Sequence, residues 1–171
     1  MKNLLLLFAL LLSSLSFSQR HISLSIYQDA KFLVAGDKER GYDAGTLDLL
    51  MRFEMQGDQQ DWGYMIVFPE YEYAELDGTY QRYSANVGYV FNKLIVEDFE
   101  AGASIGYGMI DRWRRNFLSF GGSGFIKYKL TDDIKLNLLV QATERKELKW
   151  AYGGNNVIKF SGFIGVEFNL N

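Results

Sequence analysis

The sequence predicts an all-β chain, an eight-stranded antiparallel up-and-down transmembrane β-barrel. Three observations predict it. Apolar and polar residues alternate with period two in short segments along most of the chain, as in strands whose successive side chains point to opposite faces. After the first residues, nothing is long and apolar enough for a transmembrane helix. The composition also favours strands: aromatics make up 16%, with 11 Tyr and 13 Phe against one Pro.

Length and charge set the outer limits. At 171 residues and 48% hydrophobic content the chain suits a single domain. A net charge of -3 offers no basic field for nucleic acid, so no nucleic-acid partner is expected.

The chain opens on "MKNLLLLFALLLSSLSFSQ", with one early Lys, an apolar run from Leu4 to Leu12, and the small residues Ser16 and Ser18 spaced like a cleavage site. The run is shorter than the ~20 residues that cross a bilayer. We therefore expect a signal peptide over 1–18, cut after Ser18, and a barrel domain over 19–171. With no Cys, an exported chain forgoes disulfides, and the fold alone must supply its stability.

The first strand is expected near His21 to Phe32, followed by a long loop, "VAGDKERGYDAG". In "TLDLLMRFEMQ" Leu47, Leu49, Met51, Phe53 and Met55 oppose Asp48, Arg52 and Glu54. The third segment, "WGYMIVFPEYEYAEL", holds the only proline, Pro69, which a ladder tolerates at a bulge, at an edge or where a strand leaves its sheet. "DGT" at Asp77 to Thr79 marks a hairpin into "YQRYSANVGYVFN". In "EAGASIGYGMI" one face is nearly bare, with Gly102, Ser104, Gly106 and Gly108. "FLSFGGSGFIKYKL" and "IKLNLLVQAT" are the sixth and seventh segments, and "KFSGFIGVEFNLN" is the eighth.

Eight is an even number, so the last strand can pair with the first and remove both edges. The less apolar faces then collect Asp48, Arg52, Glu54, Arg82, Lys127, Lys135, Lys159 and Glu167, which would have to pair inside a narrow lumen. Alternation alone also fits a soluble exported ligand-binding barrel with the faces reversed. Three features favour the membrane. Trp62, Trp113 and Trp150 fall at strand ends or loops, where an aromatic girdle belongs. The Gly and Ser faces of segments five and six suit a crowded lumen better than a wet surface. Connections near 57–61, 92–98 and 131–133 are short, whereas those near 33–45, 111–116 and 143–156 are expected as longer outward loops.

With its signal segment, eight amphipathic strands and the ending "VEFNLN", the chain resembles the small eight-stranded outer-membrane β-barrels of Gram-negative bacteria. The resemblance is one of pattern over nearly the whole mature chain, and it implies a cell outer membrane location.

Chemistry is sparse. One His and no Cys exclude multi-His metal sites and thiolate chemistry, and no cofactor is expected. His21 and Ser23 share a strand face, and outer-membrane lipid A deacylases use a similar His-x-Ser pair, but no orienting acid accompanies them here. "DRWRRN" sets Arg112, Arg114 and Arg115 around Trp113, a grouping suited to lipopolysaccharide phosphates. Trp150 in "ERKELKWAYGG" offers a second contact, and ordinary solvated loops are the alternative for both. The expected role is that of a non-enzymatic barrel whose outward loops contact outer-membrane lipid, lipopolysaccharide or an envelope protein partner. A lipid A-modifying enzyme is the alternative, and a soluble exported barrel the second alternative.

Overall fold

The structure, a computed structural model, describes residues 21–38, 41–92, 98–153 and 158–170. The expected signal segment lies outside the described residues. Eight strands follow in order: β1 Ile22–Asp29, β2 Asp48–Gln56, β3 Gly63–Ala74, β4 Tyr80–Phe91, β5 Phe99–Arg112, β6 Arg115–Lys129, β7 Ile134–Glu144 and β8 Ile158–Asn169. Each pairs antiparallel with the next, and β8 returns to β1 from Ser23↔Asn169 to Asp29↔Phe163, which closes the barrel. Closure leaves no ladder edge unpaired.

The period-two pattern decides which way every side chain points. Inward go Ser23, Ser25, Tyr27 and Asp29 of β1, the even positions of β2 to β5, and the odd positions of β6 to β8. The interior holds an apolar cluster of Tyr27, Leu50, Tyr64, Ile66, Phe68, Val90, Phe125, Leu139 and Phe163, together with buried charges. The outer wall exposes Ile26, Phe53, Val67, Val87, Ile105, Ile126, Leu138, Val140, Phe160 and Ile164. Leu138 is 57% exposed, whereas fully ionic Arg52 is 1% exposed. An apolar band of this extent cannot face water in a soluble protein. Aromatic pairs border it: Tyr89 with Phe91 and Phe99 with Tyr128 near the end that holds both termini, Tyr71 with Tyr83 and Tyr107 with Phe120 toward the other. This is the arrangement of a transmembrane β-barrel. No helix among the described residues is long and apolar enough to cross a membrane.

Four expectations need correction. The first strand stops at Asp29, not Phe32, because the Asp29 carboxylate accepts from the Phe32 amide and caps a helix, α1 Ala30–Val34. Residues 111–116 are not a loop: β5 runs to Arg112 and β6 begins at Arg115, leaving a two-residue turn. The 143–156 connection carries strand to Glu144 and then a second helix, α2 Lys146–Tyr152, with residues 154–157 outside the description. Two of the four connections at the end distal to the termini, 75–79 and 113–114, are therefore short. Pro69 marks neither a bulge nor an exit. It lies within β3 and faces outward, and the β2–β3 ladder skips Phe53 and Glu54 between Arg52↔Glu70 and Met55↔Val67, where its missing N–H would donate.

Candidate functional site

The lumen is organised in ionic layers. At its centre Glu70 accepts from Arg52 Nε at 2.6 Å, Arg82 Nη1 at 2.8 Å and Gln141 Nε2 at 2.8 Å. All three of Arg52, Arg82 and Glu70 are buried, so this carboxylate balances two guanidinium groups where water cannot. Arg52 also donates to Ser123 at 3.1 Å, and its guanidinium lies 4.6 Å from the Phe68 ring centre. Small residues make the room. A Cβ at Gly106 would stand 1.8 Å from Asn86 Oδ1, and Asn86 itself donates to Ser84 beside Glu70.

Toward the terminal end Lys127 Nζ lies 2.6 Å from both Glu54 and Glu167. Lys135 contacts Glu100 at 2.8 Å, and Glu100 accepts from the Tyr64 hydroxyl at 3.0 Å. Asn137 donates to Tyr27 at 3.0 Å and to Glu167 at 3.3 Å. Toward the distal end Arg145 pairs with Glu147 and stacks 4.1 Å from the Tyr80 ring centre, while Tyr80 donates to Glu72 at 3.4 Å. Asp48 is buried at this level of β2. Lys159 is half-buried at the distal end of β8 and makes no ion pair among the described residues. These layers fill the interior with side chains, as a barrel of eight strands requires.

Several of the residues that carry these layers are ones the sequence pattern leaves unassigned: Glu70, Glu72, Glu100, Arg145 and Glu147. The signal for the first two was present. Tyr64, Ile66 and Phe68 are inward by parity, and Glu70 and Glu72 continue that face once Pro69 is allowed to remain in the strand.

The distal connections form one locked surface. Tyr42, from the β1–β2 connection, accepts the Asp77 amide at 2.6 Å. Arg112 Nε donates to the Asp77 carbonyl at 2.8 Å, and the Trp113 amide to the Gly78 carbonyl. Gly78 has a φ of 78°, and a Cβ there would meet the Trp113 ring at 2.2 Å. Trp113 in turn packs 6.0 Å from Trp150 and 6.3 Å from Tyr152 of α2. Thus side chains and backbone link all four connections. Trp113 and Arg114 are both left-handed, with φ of 52° and 59°, as a type I′ turn demands; without glycine or asparagine that costs about 1–2 kcal/mol per residue. The contacts of Trp113 offset it.

Of the predicted surface residues, Arg114 and Arg115 are exposed, and Arg115 lies 4.4 Å above the Trp150 ring. Trp150 is about half exposed. Arg112 is corrected: it is buried, with its guanidinium 4.2 Å over Trp113 and its Nε on Asp77, so it braces the surface from beneath. Trp62 stands exposed at the terminal end, near the start of β3. Ser23 is fully buried in the lumen, while His21 is exposed before β1.

No protein-family model matches the sequence, and no curated protein matches it. Among solved structures the chain is similar to the N-terminal β-barrel domain of Pseudomonas aeruginosa OprF, with a TM-score of 0.58 at 13% identity over 88% of this chain and 97% of that one. Neisserial surface protein A gives 0.46 at 11% identity over 90% of this chain and 98% of that one. Ail, the attachment invasion locus protein of Yersinia pestis, gives 0.43 at 15% over 88% and 96%. The OprF likeness carries the conclusion that the chain has the fold of a small outer-membrane β-barrel.

Proposed function

We propose that this chain is a non-enzymatic barrel of the cell outer membrane, with a structural or interaction role in which its distal connections contact outer-membrane lipid and lipopolysaccharide or an envelope protein partner. The observation that carries the reading is the inversion of the molecule: ion pairs such as Arg52–Glu70 and Lys127–Glu54 lie inside, and the apolar band lies outside. The linked connections add a fixed surface, from Tyr42 through Asp77 and Trp113 to Trp150, on which a partner can be recognised without first ordering a loop. The burial of Ser23, away from exposed His21, supports a non-enzymatic role over lipid A modification.

Membrane fractionation tests the location, and electrophoresis tests closure. The unboiled protein should migrate differently from the boiled one in SDS, because a closed barrel has no edge from which to unzip. Recovery of folded protein in the soluble periplasm would sink the assignment. Incubation with radiolabelled lipid A should release no acyl chain, and release lost in His21→Ala would replace the reading with the enzymatic one.

A further inference from the structure

The apolar wall is not uniform. A groove of about 600 Å³ crosses its strands from Leu24 on β1 to Leu118 on β6. Its floor is short, with Pro69 paired opposite Ala85, and Phe53 and Tyr107 rise on either side in the same row of the sheet. Leu24 lies close to the terminal end of β1, whereas Leu118 lies close to the distal end of β6, so the groove climbs across the band toward the distal surface.

The register shows what stands above its upper end. Leu118 pairs with Met109, the next outward pair is Asp111 with Asn116, and the Trp113–Arg114 turn closes the hairpin. The change from Met109 and Leu118 to Asp111 and Asn116 marks where these strands leave the hydrocarbon. Arg114 lies four residues beyond Leu118, which is about 13 Å along the strand at ~3.3 Å per residue. That is headgroup height, and the turn holds exposed Arg114 there in a fixed backbone conformation, while Arg115, on the inward parity of β6, lies over Trp150.

Resting on the membrane reading above, we propose that the groove and the hairpin tip together hold one phosphorylated glycolipid of the outer leaflet, with an acyl chain in the groove and a phosphate on Arg114. The groove supplies an apolar lining for an acyl chain. The Arg114 guanidinium supplies charge-assisted donors of the kind phosphate accepts. Asp111 is the opposing charge at the same rim, and it should weaken the site.

The test uses the full barrel in phosphatidylcholine nanodiscs containing a small fraction of bis-phosphorylated lipid A, with the lipid retained per barrel counted by native mass spectrometry. The wild type should retain one lipid A. Ala85→Trp, which fills the groove from the lipid side, and Arg114→Glu should each reduce retention about tenfold, the first by lost apolar contact and the second by a lost charge-assisted contact. Asp111→Asn should increase it. With lipid A stripped of its phosphates, Arg114→Glu should match the wild type while Ala85→Trp still loses. Inorganic phosphate should not displace the lipid, and displacement by it would show a phosphate site independent of the groove and overturn the proposal. Equal retention by wild type, Ala85→Trp and Arg114→Glu, all with heat-shifted mobility in SDS, would overturn it too. Should Ala85→Trp fail that folding check, Ala85→Leu takes its place. A wild type that inserts but retains no lipid A defeats this proposal alone; a wild type that does not insert defeats the membrane reading.

Discussion

The two faces of one strand obey opposite rules. On β7, Asn137 is 1% exposed and hydrogen-bonded to Tyr27 and Glu167, while its neighbour Leu138 is 57% exposed on the outer wall. At the centre and toward the terminal end, charge is tolerated because a counter-charge lies beside it: Glu70 for Arg52 and Arg82, Glu54 and Glu167 for Lys127. Outside, no counter-charge exists, and apolar side chains are the only stable choice in hydrocarbon. The difference teaches that burial and hydrophobicity are separate variables. The narrow lumen excludes water by being filled, and polar groups fill it as well as apolar ones when they are paired.

The largest break in this contrast should come from the centre of the lumen. Glu70→Leu leaves two buried guanidinium groups without their carboxylate and should cost roughly 3–5 kcal/mol, measured by denaturant unfolding in lipid vesicles. The triple change Arg52→Met, Glu70→Leu, Arg82→Met should recover most of the loss, because it removes the charges together with their desolvation. A triple variant no more stable than Glu70→Leu would show that the layer is irreplaceable by packing.

The wall should respond to the reverse change. Leu138→Arg places an unpaired charge in the apolar band and should cost roughly 2–4 kcal/mol if Leu138 lies near mid-bilayer, less nearer an interface. Because the chain has no Cys, Leu138→Cys and Asn137→Cys can be labelled without background. Acyl-chain quenchers should dim a fluorophore at Leu138 strongly and one at Asn137 little. Quenching at neither position in folded protein would end the membrane assignment.

Much of this contrast was legible beforehand, because strand periodicity is set by backbone geometry and needs no partner to be read. It assigned Asp48, Arg52, Glu54, Arg82, Lys127, Lys135 and Glu167 to the inner face, where the structure places them. It passed over Glu70 because proline rules describe the donor that is lost and not which neighbour would have received it. Arg145 and Glu147 lie in a connection, where no period applies, and only the packing of α2 over the barrel mouth buries them. The hairpin tip was misread as a loop for a similar reason. Trp113 and Arg114 carry none of the usual glycine or asparagine signal, and their left-handed backbone is stabilised by contacts with Gly78, Trp150 and Tyr152 that are distant in sequence.

The smallest effect is expected where an ion pair stands in water. Lys129 Nζ lies 2.6 Å from Asp132, three residues on, at the β6–β7 turn, and Asp132 is almost fully exposed. The hydrogen bond from Lys129 holds the Asp132 carboxyl below its ordinary range. A carboxyl depressed in the folded state adds stability above its unfolded pKa and loses it as pH falls through the folded value. Any contribution from this pair should therefore be present at neutral pH and vanish in acid, and salt should screen it. Asp132→Asn is expected to leave the unfolding midpoint in vesicles unchanged at neutral pH, because water already solvates both groups. A loss comparable to that of Glu70→Leu would mean that this turn is buried against lipid or a partner, and the line between filled lumen and wet surface would have to be redrawn at the terminal end.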